Sequence, residues 1–170
     1  MINVGIIGYG YWGPNLVRNF MTNSSTQVVC VCDRAPARLE KVEALYPTVK
    51  LTDSPEELIA DSAVDAVVIA TPVAGHFDLA MAALRAGKHV LVEKPITTTS
   101  DQALKLIEEA ASRKLILLVD HTFVYTSVVQ KMRELIQAPS FGQPSYFDST
   151  RVNLGLFQHD VNVLWDLAVH

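Results

Sequence analysis

The sequence is poor in several things that would each point to a particular kind of protein. Of 170 residues only two are cysteine, Cys30 and Cys32. They form a C-x-C within an apolar run, which is neither a disulfide framework nor metal-ligand spacing, so no metal site is expected. Buried strand positions in a reducing cytoplasm are the expectation instead. Excess basic charge is also missing. Fourteen Lys+Arg against 18 Asp+Glu give a net charge of −4, which argues against nucleic acid or an anionic membrane surface as the main partner. No apolar run approaches the ~20 residues of a membrane helix. Ile2–Ile7 is too short for a signal-peptide core and has no basic stretch before it. Internal repeats and low-complexity tracts are absent. What remains, 49% hydrophobic and 19% charged residues, is an ordinary globular composition, long enough for one good core and marginal for two complete domains.

Strand-like and helix-like segments alternate from the first residue. Apolar runs at Ile2–Ile7, Gln27–Cys32, Val49–Thr52, Asp65–Ala70, His89–Val92 and Leu115–Val119 read as strands. Helices are predicted from Gly13-Pro14 to Met21, over Pro36–Tyr46, over His76–Ala86 with Gly87 as a left-handed stop, and over Ser100–Arg113. Ser54-Pro55-Glu56-Glu57 reads as a capping box, with Ser54 as N-cap and Glu57 reaching back. Short links between alternating strands and helices predict an α/β fold with a doubly wound parallel sheet, a Rossmann fold. The pattern changes after about His121. There, Val128–Ile136 reads as a helix, Ala138–Pro144 as a linker, Ser145–Val152 as a strand with one wet face, and Asp160 onward as a helix.

Gly8-Tyr9-Gly10-Tyr11-Trp12-Gly13 is G-x-G-x-x-G, placed between a predicted strand and a predicted helix. Gly8 allows the tight turn, Gly10 lets the backbone approach a pyrophosphate, and Gly13 lets the helix pack closely on the sheet. The helix N-terminus then holds the anion. Tyr11 and Trp12 lie inside this loop, so the Trp12 backbone is expected at the cofactor; the rings of Trp12 and Trp165 read as packing residues. Asp33 ends the second strand 20 residues after Gly13, where a carboxylate accepts hydrogen bonds from an adenosine ribose. It also repels a 2′-phosphate, which favours NAD. Arg34 and Arg38 follow, however, and a guanidinium can pair with that phosphate, so NADP stays open.

Ligands of open α/β sheets bind beyond the carboxyl ends of the strands. Three polar clusters fall there: Thr71-Pro72, Glu93-Lys94-Pro95 and Asp120-His121. A partly desolvated Lys94 near the nicotinamide end suits an acid or an electrostatic stabiliser of a substrate alkoxide. A surface Glu–Lys pair is the alternative. The run Ala70-Thr71-Pro72…His76…Ala86-Gly87-Lys88-His89-Val90-Leu91-Val92-Glu93-Lys94-Pro95 resembles the glucose–fructose oxidoreductase/inositol dehydrogenase (Gfo/Idh/MocA) family of nicotinamide-dependent sugar oxidoreductases. The resemblance spans essentially the whole chain. It implies that Lys94 lies beside nicotinamide and substrate and that the Lys94–Pro95 peptide is cis. It also places Thr71, Pro72, His76 and Glu93 among the cofactor-site residues; His121-Thr122-Phe123 departs from the family's commoner asparagine-arginine segment after the last strand, and His121 is expected only as a neighbour of the site.

Asp166-Leu167-Ala168-Val169-His170 matches the family's D-x-x-x-H signature, whose spacing puts both side chains on one helix face. The resemblance implies His170 as general base and Asp166 as the residue that orients it or the substrate. Arg151–Gly155 and Asp160–Leu167 are more narrowly similar to dehydrogenases of nucleotide-linked amino sugars. The expectation is an NAD(P)-dependent dehydrogenase of a secondary alcohol in a sugar, sugar derivative or nucleotide-sugar. Two alternatives stand beside it: a non-catalytic dinucleotide-binding module, and an NAD-assisted glycoside hydrolase of the same superfamily. Residues 1–122 are expected to form the cofactor domain. Residues 123–170 would be the truncated start of an α+β substrate domain, with a homo-oligomeric full-length form.

Overall fold

The structure is a computed structural model that describes residues 1–150 and 162–168. The chain divides into two compact units, Met1–Asp120 and His121–His170.

The first unit holds β1 (Ile2–Ile7), β2 (Thr26–Cys32), β3 (Lys50–Thr52), β4 (Ala66–Ile69), β5 (His89–Val92) and β6 (Leu117–Val119). All pair in parallel, in the order β3-β2-β1-β4-β5-β6. Helices α1 (Gly13–Thr22), α2 (Pro36–Leu45), α3 (Pro55–Ala60), α4 (His76–Arg85) and α5 (Ser100–Arg113) make the crossovers. The central strands are apolar on both sides because each side is covered. Val4, Ile6, Val28, Val31 and Val68 pack with Leu16 and Val17 of α1 and Val42 of α2. On the other face, Ile7, Cys30, Cys32, Val67, Ile69, Val90 and Val92 pack with Leu58 of α3, Ala80 and Leu84 of α4, and Leu106 of α5. Full burial of one such side chain contributes about 1.5–3 kcal/mol.

The register decides where the chemistry can sit. Ile7 pairs with Cys32 and Ile69, Cys32 with Thr52, Ile69 with Val92, and Val92 with Val119. The strands therefore end level, and the next residues, Gly8, Asp33, Ala70, Glu93 and Asp120, form a row along the carboxyl edge. Their N–H groups continue the ladder, donating to Cys32, Thr52, Ile7, Ile69 and Val92 respectively at 2.8–3.2 Å. The strand order turns back between β1 and β4, which places the ligand crevice of such sheets beside Gly8.

Local expectations fare unevenly. Gly87 stops α4 as predicted: its φ is +79°, and the Gly87 and Lys88 N–H groups donate to Leu84 and Ala83 carbonyls in a Schellman closure. The capping box is only half formed. Ser54 Oγ accepts from Glu57 N at 3.3 Å, but Thr52 Oγ1 takes the Ser54 N–H and donates to Glu57 Oε2 at 2.7 Å. A hydroxyl at the end of β3 thus intercepts the returning carboxylate. α5 ends on Lys114 with φ 58°, a left-handed stop made by a non-glycine residue.

In the second unit a short 3₁₀ turn, Thr122–Tyr125, precedes α6 (Ser127–Gln137), and α7 (Val163–Leu167) follows further on. The strand expected at Ser145–Val152 is not found: residues 145–150 carry no regular secondary structure, and Arg151 and Val152 lie outside the described residues. Alternation alone cannot make a strand, because its N–H and C=O groups need a partner strand; among the described residues this unit offers none.

Candidate functional site

The loop from β1 to α1 is fixed by two glycines and left open at a third. Gly8 has φ +103°, and a Cβ there would lie 2.5 Å from the Ala70 carbonyl oxygen. At Gly13 a Cβ would lie 2.4 Å from the Gly8 carbonyl oxygen. Both glycines therefore serve chain-on-chain contact. Gly10 differs: the nearest atom to a Cβ there is Arg38 Nη1 at 3.7 Å. A side chain at Gly10 would fill open space rather than strike the protein. α1 carries neither a side-chain cap nor an acidic residue in its first turn, so nothing of its own competes with an anion at its positive end.

Asp33 is buried and serves the loop as well as any ligand. Its Oδ2 accepts from Tyr9 N at 2.7 Å and its Oδ1 from Ala35 N at 2.9 Å. Arg38 Nη1 lies 3.4 and 3.2 Å from the two oxygens. The neighbouring Arg34 is exposed. Tyr11 and Trp12 depart from expectation. Trp12 was expected to pack, but its ring is 40% exposed and stacks on Tyr11, itself 83% exposed, with centroids 6.3 Å apart. Of the loop's aromatic rings only Tyr9 turns into the core. Trp165, in α7 of the second unit, is likewise 36% exposed.

At the other side of the crevice the Lys94–Pro95 peptide is cis. The Glu93 carboxyl is pushed up to about 8, by burial first and then by the charge of the facing Asp120 carboxyl and a hydrogen bond to it, with the Lys94 backbone N–H and the Lys94 charge opposing. Glu93 Oε1 is buried and has no hydrogen-bond partner among the described residues. His76, buried at the start of α4, spans two loops. Its Nδ1 lies 2.9 Å from the Pro95 carbonyl oxygen, and its Nε2 lies 2.8 Å from that of Thr71. It ties Thr71-Pro72 to the Lys94-Pro95 turn.

The row along the carboxyl edge thus gathers Gly8, Gly10, Gly13, Asp33, Thr71, Pro72, His76, Glu93 and Lys94 within the first unit. His121 and Asp166 fall in the second unit, and His170 lies outside the described residues. Arg38 and Asp120 escaped the sequence reading as partners of Asp33 and Glu93. For Asp120 the signal was available, since it ends a strand adjacent to the one that Glu93 ends.

These residues fit a dinucleotide. Gly10 leaves room for a pyrophosphate over uncapped N–H groups, Asp33 presents a carboxylate at the end of β2, and Glu93 holds an acceptor with no donor at the far end. Fold and site together define a dinucleotide-binding Rossmann domain. Residues 2–121 match the oxidoreductase family with an NAD-binding Rossmann fold to which the glucose–fructose oxidoreductases and inositol dehydrogenases give their name, and the chain belongs to that family.

Among its relatives, the UDP-N-acetylglucosamine 3-dehydrogenase of Acidithiobacillus ferrooxidans is 33% identical over 99% of this chain and 51% of its own length. The inositol 2-dehydrogenase of Mycolicibacterium smegmatis is 32% identical over 95% of this chain and 51% of its own. The crystal structure of a Synechocystis biliverdin reductase with biliverdin and NADP+ superposes with a TM-score of 0.73 at 32% identity, covering 78% of this chain and 42% of that one. The chain spans about half the length of the curated relatives it matches.

Proposed function

We propose that the chain is the cofactor-binding part of an NAD(P)-dependent dehydrogenase acting on a secondary alcohol of a sugar, sugar derivative or nucleotide-sugar. The observation that carries this reading is the single level edge bearing the glycine loop, Asp33 and Glu93-Lys94-Pro95. When bound, the nicotinamide supplies the two-electron acceptor for the alcohol carbon. The backbone N–H groups of Gly10, Tyr11, Trp12 and Gly13 hold the pyrophosphate, while Asp33, with Arg34 beside it, receives the adenosine ribose. Thr71, Pro72 and the unpartnered Glu93 Oε1 line the nicotinamide end, and His76 keeps their loops in place.

Lys94, started in a fixed direction by Pro95, holds the substrate oxygen as negative charge develops on it. His170 takes the hydroxyl proton, Asp166 orients His170, and His121 borders the site. These last roles belong to a second domain that begins near residue 123 and completes the substrate floor. NAD is the expected cofactor, with NADP compatible. The reading includes a cytoplasmic setting, supported by the unpaired thiols of Cys30 and Cys32. It also includes a homo-oligomeric longer form, with neither nucleic acid nor membrane as partner; among the described residues no helix is long and apolar enough to cross a membrane.

The test is absorbance of reduced cofactor with candidate sugars, in a form carrying the complete substrate domain. Reduced cofactor should appear in step with sugar oxidation, and Lys94→Ala should lower kcat far more than cofactor affinity. Glycoside turnover without net cofactor change would refute the dehydrogenase reading.

A further inference from the structure

We infer that Glu93 and Asp120 share one proton, which leaves when the oxidised, cationic nicotinamide binds and stays when the reduced, neutral ring does. The pair thereby sets the preference of the site between the two redox forms of the cofactor. The inference rests on the dinucleotide reading above and deepens it. Two features of the structure carry it. Val92 pairs with Val119, so Glu93 and Asp120 leave adjacent strands at the same level, and the Asp120 N–H donates to the Val92 carbonyl at 2.9 Å. Their carboxyls meet there in a side-chain hydrogen bond. The second feature is Glu93 Oε1, which is buried and has no hydrogen-bond partner among the described residues.

Both features require a proton. An ionised carboxylate only accepts hydrogen bonds, so two carboxyls bond to each other only when one of them is protonated. Like charges in one site also oppose the second ionisation, and the proton belongs to the pair. The orphan oxygen favours Glu93 as its place, because a buried carboxylate oxygen with no donor is far costlier than the carbonyl oxygen of a neutral acid. The Glu93 carboxyl is accordingly held up at about 8, by burial first and then by Asp120. Asp120 faces it from the end of β6, and Lys94 from its own loop opposes through its N–H and its charge. From α4 the titratable group at these loops is His76, whose two ring nitrogens are engaged with the Pro95 and Thr71 carbonyls.

At neutral pH the pair therefore carries one negative charge where two carboxylates would carry two. A cationic ring beside Oε1 stabilises the second charge, and the pair then gives up its proton. The O–H bond breaks, its electron pair stays on the carboxylate, and water takes the proton. Beside a neutral ring the pair has no reason to ionise. The sign of the linkage follows: the deprotonated pair binds the cation better, so affinity for NAD+ rises as pH climbs towards about 8 and is level above it. Affinity for NADH does not follow that rise.

The test is calorimetric titration of NAD+ and NADH into the 170-residue chain, in buffers of different ionisation enthalpy, which counts the protons released. In the wild type near neutral pH, NAD+ should release a measurable fraction of one proton and NADH none. NAD+ affinity should rise with pH by up to about tenfold per unit below about pH 8. Glu93→Gln, with no proton to lose, should abolish both effects. Asp120→Asn removes the facing charge and offers Glu93 a donor, so it should shift the rise to lower pH and shrink the release at neutral pH. Infrared spectra of the cofactor-free chain provide a second readout: a protonated-carboxyl band at neutral pH that Glu93→Gln removes. Absence of that band, equal proton release with both cofactors, or release unchanged in Glu93→Gln would overturn the inference while leaving the dinucleotide reading intact. Failure of the wild type to bind either cofactor would overturn both.

Discussion

Two alanine substitutions in one loop should fail in opposite ways. In Gly8→Ala the new Cβ stands on a residue with φ +103° and 2.5 Å from the Ala70 carbonyl oxygen. The left-handed backbone costs an L residue about 1–2 kcal/mol, and the neighbour it strikes is β4's own backbone, which cannot turn away as a side chain could. A total near 3 kcal/mol is a large share of the ~5–15 kcal/mol that holds a domain folded. Gly10→Ala meets only the tip of a flexible arginine at 3.7 Å, and its φ lies outside the left-handed region. Its stability should stay within about 1 kcal/mol of wild type, and can rise because alanine restricts the unfolded chain. Its methyl group, however, stands where the pyrophosphate approaches the N–H groups. Losing one or two charge-assisted hydrogen bonds there weakens NAD by about 2–3 kcal/mol, roughly a hundredfold. Urea unfolding measures the first quantity and calorimetry the second. Gly10→Ala with normal stability and normal NAD affinity would show that the loop is a turn and nothing more.

Three further outcomes follow from the same geometry. The folded Glu93 carboxyl sits at about 8, above its unfolded value near 4.3, so the folded state binds the extra proton. Stability should therefore be full below about pH 4 and fall by at most about 1.4 kcal/mol per pH unit until pH 8; Glu93→Gln should remove that slope in urea titrations, and an unchanged slope would place its origin elsewhere. A neutral imidazole has one N–H, so His76 donates to one of the two carbonyls it contacts, Thr71 or Pro95; His76→Ala leaves that buried carbonyl unpaired and should cost about 1–3 kcal/mol of stability, and an unchanged stability would mean that water takes over. Burial pushes the thiols of Cys30 and Cys32 up to about 11 and about 12, so a thiol reagent at pH 8 should label neither until the chain unfolds.

The sheet was readable because its cause is local. Runs such as Ala66–Ile69 are apolar at every position, which suits a strand covered on both faces, and the helices between them are bounded by proline, serine and glycine at the positions where those residues do specific backbone work. The glycine loop and Asp33 were readable for the same reason, being fixed by spacing along one chain. What escaped depends on register. That Asp120 faces Glu93 follows from the pairing of Val92 with Val119, and that Arg38 lies over Gly10 follows from how α2 leaves β2. Neither is a property of any short segment. The strand expected at Ser145–Val152 erred in the other direction: residues 145–150 alternate with the period of a strand, but among the described residues they have no partner to pair with. Thr52 made the analogous point on a smaller scale, taking both ends of a capping box that four residues seemed to complete by themselves.

The central claim is that a nicotinamide dinucleotide lies across this carboxyl edge with its reactive ring at Lys94. A crystal structure of the chain with NAD tests it most directly. Pyrophosphate oxygens are expected on the N–H groups of Gly10 to Gly13, the adenosine ribose on Asp33, and nicotinamide within reach of Glu93 Oε1 and Lys94. A cofactor bound with its nicotinamide away from Glu93 and Lys94, or on the opposite edge of the sheet, would contradict it.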